Sequence, residues 1–183
     1  MSFTVWFTGL SGSGKTAVSL VVEERLCAYG LPVVRLDGNE LRARPEWSLG
    51  FSREDRIEHT HRLGDLALMH NLAGRVCLVA AIAPYAVARR AVRRRLGDFV
   101  EVHCAAPLDT LVAKDVKGIY AQALAGKLDD FTGISSPYEP PESPEVAVFA
   151  YEESVAQSAD KVMKAIAEAV SRAVVARHLE AMV

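Results

Sequence analysis

The stretch GLSGSGKT, from Gly9 to Thr16, constrains the fold of this chain more than any other feature. It follows a β-branched apolar run and precedes a helical segment, which is the context that the pattern G-x-x-x-x-G-K-[ST] requires. Glycines let successive backbone N–H groups turn inward around a phosphate, and the helix N-terminus adds the positive end of its dipole. We therefore predict a phosphate site at Gly9, Ser11, Gly12, Ser13, Gly14, Lys15 and Thr16, in which Lys15 reaches the outer phosphates and Thr16 can bind Mg²⁺.

Short apolar runs alternate with helical stretches along the chain, which predicts an α/β fold with a mostly parallel five-stranded sheet and helices on both faces. The predicted strands are Phe3 to Thr8, Pro32 to Leu36, Arg75 to Ile82, Phe99 to Cys104 and Val146 to Phe149. The predicted helices are Lys15 to Tyr29, Arg53 to Leu72, Ala86 to Leu96, Leu108 to Lys114 and a final one from about Tyr151 to Ala176. Ser52 is the predicted N-cap of the second helix.

A dinucleotide site is the main rival of the phosphate-binding loop. Gly12, Gly14 and Ala17 also fit G-x-G-x-x-A, and Asp37 follows about 20 residues later, as that fingerprint requires. Spacing alone does not exclude a dehydrogenase. Lys15 and Thr16 favour the phosphate-binding loop, because the dinucleotide fingerprint gives neither residue a role.

Composition excludes several classes of function. The net charge of the 183 residues is -2, which argues against binding to nucleic acid or to an anionic membrane surface. The longest uncharged apolar run, Val76 to Ala88, is shorter than the roughly 20 residues of a membrane span. The N-terminus has no signal-peptide pattern, and three separated cysteines, Cys27, Cys77 and Cys104, are expected to be reduced core residues of a cytoplasmic protein.

Asp37 is the predicted carboxylate of the site. The third strand ends in VCLVAAIAPY and carries no acid, whereas Asp37 ends the second strand, where a parallel sheet places its ligands. It would hold a magnesium-bound water or accept the proton of an attacking hydroxyl, and the sequence leaves both roles open. The chain has no N-K-x-D motif, so a GTPase is not expected.

Two further segments carry expectations. Asp115 to Pro144 is rich in glycine and proline and interrupts the strand–helix alternation, which is typical of a functional or mobile loop. The arginines between Arg89 and Arg95 are expected to form a solvated helix face.

Several motifs together resemble the adenylylsulfate kinase family: GLSGSGKT, LDGNELR, GFSREDRIE, IAPY, KDVKGIY and DFTGISSPYEPP, in this order. The resemblance covers roughly residues 3 to 145. It implies a three-layer P-loop kinase fold in one domain, a homodimer, and a role in sulfate assimilation. The implied reaction is the ATP-dependent, Mg²⁺-dependent phosphorylation of the 3′-hydroxyl of adenosine 5′-phosphosulfate.

The resemblance also implies roles for single residues. The loop from Gly9 to Thr16 would hold the ATP phosphates, Lys15 and Asp37 would be catalytic, and Thr16 with Asp37 would bind Mg²⁺. Residues 115 to 140, which we call the lid segment, would close over both nucleotides and exclude water. The implied acceptor-binding residues are two stacking aromatics, four polar or charged groups and one main-chain contact: Phe51, Phe131, Arg42, Arg56, His59, Lys117 and Ile82. From sequence alone, Phe51 and Phe131 could instead be core aromatics, and Arg42 and Arg56 could be solvated charges.

The chain departs from the family pattern mainly around the acceptor. The second acid of the family's D-G-D-N is Asn39 here, and an acceptor-contacting Asn is replaced by His59. His61, Ala83 and Ala86 stand where the family has Arg, Ser and Arg. His59 and His61 point to different faces of a helix and are not expected to form a metal pair.

Three functions remain open on sequence alone. The first is an adenylylsulfate kinase. The second, motivated by the altered acceptor residues, is a related kinase that acts on a different nucleotide or nucleotide-linked acceptor. The third, motivated by Asn39, is a nucleotide-binding module without catalytic activity.

Overall fold

A computed structural model describes residues 2–115 and 117–180 and contains one five-stranded parallel sheet. The strands are β1 (Thr4–Thr8), β2 (Val33–Asp37), β3 (Val76–Ala80), β4 (Phe99–Cys104) and β5 (Val146–Val148). Their order is β2-β3-β1-β4-β5, which places β1 and the glycine-rich loop after it at the centre of the sheet. Every strand pair is parallel, so the carboxyl ends of all five strands meet at one edge.

In the described residues, six α-helices lie between the strands and a seventh follows β5: α1 (Lys15–Ala28), α2 (Gly38–Arg42), α3 (Arg53–Leu72), α4 (Ala86–Leu96), α5 (Leu108–Lys114), α6 (Ile119–Leu124) and α7 (Val155–Glu180). Alternate residues of β1 belong to two separate apolar cores. Val5 and Phe7 pack with residues of α1 and α7, and Trp6 packs with residues of α3 and α4. The sheet is therefore covered on both faces, which explains why its strands read as nearly continuous apolar runs.

The predicted five-strand α/β fold is confirmed, and the strands and long helices agree with prediction to within a few residues. α7 begins later than predicted, at Val155, because Ser154 caps it: its hydroxyl accepts a hydrogen bond from the Gln157 N–H. Ser52 caps α3 as predicted. The short helices α2 and α6 were not predicted, since neither is long enough to show a periodic pattern. Val116, in the lid segment, lies outside the described residues.

Two predictions about side chains were wrong. Cys77 and Cys104 are buried free thiols, but Cys27 is exposed near the end of α1. The arginines of α4 do not form a uniformly solvated face: Arg89 is buried against Glu101, and Arg93 forms a bidentate pair with Glu145. Pattern alone could not reveal this, because the acids that bury these arginines come from distant parts of the chain.

Within the described ranges, no helix is both long enough and apolar enough to cross a membrane.

Candidate active site

The glycine-rich loop has a backbone shape that only glycine accommodates at two positions. Gly14 has a φ of 92°, and a Cβ there would lie 2.7 Å from the Cβ of Ala150. Gly9 has a φ of 154°, and a Cβ there would lie 2.4 Å from the backbone oxygen of Cys104. Real Cβ atoms do not approach other atoms so closely. The loop is therefore packed tightly against the end of β4 and the residues that follow β5, which leaves no room for a side chain at either position.

Lys15 is buried at the start of α1, and its ammonium lies under the loop. Nζ donates hydrogen bonds to the carbonyl oxygens of Gly9 at 2.9 Å and Leu10 at 2.7 Å. Burial lowers the pKa of Lys15 from 10.5 to about 8, and the nearby Asp37 carboxylate acts in the opposite direction. The side chain is thus a desolvated cation held at the place where the loop would receive phosphate.

Asp37 meets the loop through Thr16. The Thr16 hydroxyl donates a 2.8 Å hydrogen bond to Oδ2 of Asp37, which is only 4% exposed. Oδ1 of Asp37 accepts from the N–H groups of Asn39 and Glu40 and so caps α2. Arg35 also lies near Oδ2, at 3.5 Å. Two oxygen donors of the kind that Mg²⁺ prefers, one a carboxylate, therefore lie side by side.

A cavity of about 290 Å³ opens between the loop and the helices α2 and α3. Eleven of the predicted site residues line it: Ser11, Gly12, Gly14, Lys15, Thr16, Arg42, Phe51, Arg56, His59, Ile82 and Lys117. Gly9, Ser13, Asp37 and Phe131 are not found among the described residues that line it. Asp37 does not itself line the cavity, but its Oδ2 accepts a hydrogen bond from Thr16, which does.

Phe51 lies beside two guanidinium groups in the lining of the cavity. The Cζ atoms of Arg42 and Arg56 lie 5.1 Å and 5.2 Å from the centre of its ring. The ring is 54% exposed, so it is not a core aromatic. Burial and the charge of Arg56 lower the pKa of Arg42 to about 10, which leaves it cationic at neutral pH. The result is a half-exposed aromatic ring with two guanidinium groups close to it.

Comparison with known proteins agrees with this geometry. The family model described as adenylylsulphate kinase matches residues 1–149. The adenylyl-sulfate kinase of Synechococcus sp. strain JA-3-3Ab is 48% identical over 163 residues, which cover 89% of this chain and 93% of that protein. The chain belongs to the adenylylsulfate kinase family.

Solved structures of the adenylylsulfate kinase family show the same fold. The APS kinase from Mycobacterium tuberculosis, in complex with AMPPNP and APS, is 41% identical with a TM-score of 0.84, covering 90% of this chain and 97% of that one. A hexameric APS kinase from Thiobacillus denitrificans is 28% identical with a TM-score of 0.68, covering 92% of this chain and 29% of that one.

His59 is the most distinctive group in the cavity of this adenylylsulfate kinase. Its imidazole is 5% exposed and lies edge-on to Trp47, with ring centres 5.7 Å apart. Nε2 is buried and has no hydrogen-bond partner among the described residues. Burial, together with the charges of Arg42, Arg56 and Arg62, lowers the pKa of His59 to about 3, so the ring is neutral. A ligand in this cavity could satisfy the free nitrogen.

His59 is not part of a metal cluster. No group of three or more histidine, cysteine, aspartate or glutamate side chains that could hold a metal occurs within residues 2–115 and 117–180.

Phe131 lies outside the cavity lining, because its ring packs against Tyr120, with ring centres 5.2 Å apart. The predicted aromatic pair with Phe51 across one cavity is therefore not present in this arrangement. The main chain next to Phe131 is nevertheless tied to the site, since Arg56 donates to the carbonyl of Asp130 at 2.6 Å and to that of Phe51 at 3.0 Å. Arg56 thus connects the main chain of Phe51 with the main chain next to Phe131.

Tyr120 is a site residue that the sequence analysis missed. Its hydroxyl donates a 2.8 Å hydrogen bond to the carbonyl of Ser11 and so joins α6, in the lid segment, to the phosphate-binding loop. The KGIY motif contains Tyr120, but the spacing gave no reason to connect it with a loop more than 100 residues earlier.

Proposed function

We propose that this protein transfers the γ-phosphoryl group of ATP to the 3′-hydroxyl of adenosine 5′-phosphosulfate, giving 3′-phosphoadenosine 5′-phosphosulfate and ADP. One observation carries the proposal: a single cavity is lined both by the phosphate-binding loop and by the aromatic and cationic residues that suit a nucleotide acceptor. Family membership and a solved relative in complex with AMPPNP and APS support the same donor and acceptor.

The donor phosphates would lie on the loop from Gly9 to Thr16. Ser13 supports this assignment, because its hydroxyl is buried without a hydrogen-bond partner among the described residues. Lys15 would exchange its bonds to the Gly9 and Leu10 carbonyls for phosphate oxygens. A desolvated lysine attracts an anion strongly, so Lys15 would stabilise the charge that develops on the transferring group.

The oxygen donors of Thr16 and Asp37 fit Mg²⁺, and we propose that these two residues hold it. When bound, Mg²⁺ would neutralise phosphate charge. Asp37 would also accept a hydrogen bond from the 3′-hydroxyl. As the new O–P bond forms and the bond to the ADP oxygen breaks, the hydroxyl proton passes to the Asp37 carboxylate and then to water.

The acceptor would occupy the other half of the cavity. Its adenine would stack on the exposed ring of Phe51, and Phe131 would complete the stack once the lid segment closes. Its anionic phosphosulfate would meet the positive charges of Arg42, Arg56 and Lys117. The free Nε2 of His59 would hydrogen-bond to the acceptor, and the main chain at Ile82 would contact the base.

A related kinase with a different acceptor is the second candidate. His59 favours it, because the one free nitrogen of its neutral imidazole, Nε2, presents either a donor or an acceptor, where the end of an Asn side chain presents both. Such a group could change which part of an acceptor is recognised while leaving the phosphate-binding loop as it is.

We also propose that the chain is one kinase domain and that it forms a homodimer in the cytoplasm, where it serves sulfate assimilation. Family resemblance supports these points, and the hexameric relative makes the oligomeric state worth measuring directly. Size-exclusion chromatography with light scattering would distinguish a dimer from a hexamer.

A coupled ATP-consumption assay tests the proposed reaction. It would compare adenosine 5′-phosphosulfate, a panel of other nucleotides and no acceptor, all with Mg²⁺, followed by mass analysis of the product. The proposal expects a 3′-phosphorylated product from adenosine 5′-phosphosulfate. Turnover with another acceptor only would establish the second candidate, and ATP binding without turnover would establish a non-catalytic module.

A further inference from the structure

The turn after β3, residues 82–85, contributes Ile82, Ala83 and Pro84 to one wall of the cavity and is held by the end of the lid segment. The N–H of Glu139 donates to the carbonyl of Pro84 at 2.9 Å. In return, the Glu139 carboxylate accepts from the N–H of Ala86 at 2.7 Å. The cavity wall and the end of the lid segment are therefore one hydrogen-bonded unit.

A second set of bonds ties this unit to the central strand. The Thr8 hydroxyl donates to the carbonyl of Ile82 at 2.6 Å, so the Tyr138 hydroxyl, 3.0 Å away, donates to the Thr8 oxygen. Thr8 is the last residue of β1 and directly precedes the phosphate-binding loop. The wall is thus fixed relative to the place where the donor phosphates would lie.

Arg89 is the group on which these contacts converge. Its guanidinium donates to three acceptors from three parts of the chain: Glu101 Oε1 at 2.9 Å, the Ala83 carbonyl at 2.6 Å and the Glu139 carbonyl at 2.6 Å. The side chain is 3% exposed and lies beside the ring of Tyr138. The planar fork of arginine serves these three directions from three separate nitrogens, whereas the donors of a lysine share one nitrogen.

Ala83, the residue whose carbonyl Arg89 holds, has an unusual backbone. Its φ is 43°, a value that costs a residue with a Cβ on the order of 1 kcal/mol or more. Such a conformation persists only where the surroundings impose it. Ala83 also lines the cavity, between Ile82 and Pro84. The strained residue is therefore placed where an acceptor would touch the protein.

A buried ion pair such as Arg89–Glu101 does not by itself explain why arginine is needed here. The cost of removing both charges from water often cancels their attraction, so an apolar pair of similar volume could be equally stable. The hydrogen bonds that Arg89 donates to the carbonyls of Ala83 and Glu139 are different, since they fix a specific backbone geometry at the cavity wall.

We infer that Arg89 is a positioning residue for the acceptor. It holds the strained turn at Ala83 and the end of the lid segment at Glu139 in the arrangement that the acceptor binds. The inference rests on the proposed function. Arg89 does not line the cavity formed by the described residues, so it acts through Ala83 and Glu139.

The test compares Arg89→Lys with Arg93→Lys. Arg93 lies one turn further along α4 and contacts the same Glu101, at 3.6 Å, but its bidentate partner is Glu145. Lysine keeps the charge and loses the fork at both positions. We expect Arg89→Lys to raise the KM for adenosine 5′-phosphosulfate about tenfold, which corresponds to roughly the net value of one hydrogen bond. The KM for ATP stays within twofold, and Arg93→Lys changes neither constant.

Calorimetric titration of the acceptor provides a readout that does not depend on turnover, and the dissociation constant should rise in parallel with KM. Adding Ala83→Gly to Arg89→Lys should recover part of the lost affinity, because glycine adopts a positive φ without being held. A role confined to stability would instead lower the melting temperature of both lysine variants alike. The KM and the dissociation constant for the acceptor would then be equal in the two variants.

Glu101→Gln keeps the guanidinium and the shape of its partner, so it serves if Arg89→Lys does not fold. It should raise the acceptor dissociation constant about threefold, in line with a weakened hydrogen bond. Acceptor constants equal to those of the wild type in the folded variants would overturn the inference. If the wild type itself does not turn over or bind adenosine 5′-phosphosulfate, the proposed function fails instead, and the two failures are therefore distinguishable.

Discussion

The hydroxyl of Thr16 lies 2.8 Å from Oδ2 of Asp37, and this contact joins the first residues of α1 to the end of β2. β1 and β2 are not neighbours in the sheet, because β3 lies between them. The carboxylate that ends β2 therefore crosses over the end of β3 to reach the phosphate-binding loop. This explains why β3 can end without an acid in this chain, because Asp37 at the end of the adjacent strand β2 supplies the carboxylate.

Lys15→Ala should lower phosphoryl transfer by about 100-fold or more, since the variant removes a preorganised cation from the developing charge. The assay is ADP formation with saturating acceptor and Mg²⁺. Lys127→Ala, which removes an exposed lysine of the lid segment, is the control and should have wild-type activity. Undiminished turnover in Lys15→Ala would contradict the assignment of the donor site.

Phe51→Ala should raise the KM for the acceptor roughly tenfold, because stacking of a base on an aromatic ring contributes about 1–3 kcal/mol. The ring is exposed, so the melting temperature should change little. Phe51→Tyr keeps the aromatic face and should retain most of the affinity. An equal loss in both variants would show that the adenine does not stack on this ring.

Asn39→Asp should lower the Mg²⁺ concentration needed for half-maximal activity, because it adds a carboxylate at a position that lines the cavity. Glu40→Gln is the companion variant and removes the carboxylate one position later. Titration of activity with Mg²⁺ at saturating ATP measures the effect. An unchanged half-saturation concentration in Asn39→Asp would mean that the missing acid does not limit metal binding.

His59→Asn should make folding stability less sensitive to acid. The pKa of His59 is lowered to about 3 in the folded protein, whereas its ordinary value is 6.5. Between these values only the unfolded chain binds the proton, so the wild type loses stability as pH falls from 6.5 towards 3. At pH 5 the loss is about 2 kcal/mol.

Melting temperatures at pH 7 and pH 5 measure this effect, as the difference between the wild type and His59→Asn. His61→Asn serves as the control on the same helix. A pH-dependent loss of the same size in the wild type and in His59→Asn would show that His59 is not the group responsible.

The parts of the site that the sequence predicts well are those fixed by local rules. Gly14 and Lys15 follow from the steric and electrostatic demands of a phosphate, and Asp37 follows from its place at the end of a strand. Phe51 and Arg56 were predicted through family motifs, and both line the cavity.

The contacts that the sequence does not predict are those that depend on distant segments. Phe131 packs on Tyr120 and not into the cavity, and the burial of Arg89 depends on Glu101 and Glu139. Neither contact has a signature in the spacing of residues along the chain.

The central place of β1 has a consequence for how such an enzyme can change. Because the loop after β1 lies between the two halves of the sheet, the acceptor wall is built almost wholly from α2, α3 and the turn after β3, all on one flank. Substitutions confined to that flank, such as those at His59 and Ala83, leave the packing of Gly9 and Gly14 against the opposite flank untouched. Acceptor preference can therefore diverge in small steps, each of which leaves the protein able to bind its phosphoryl donor.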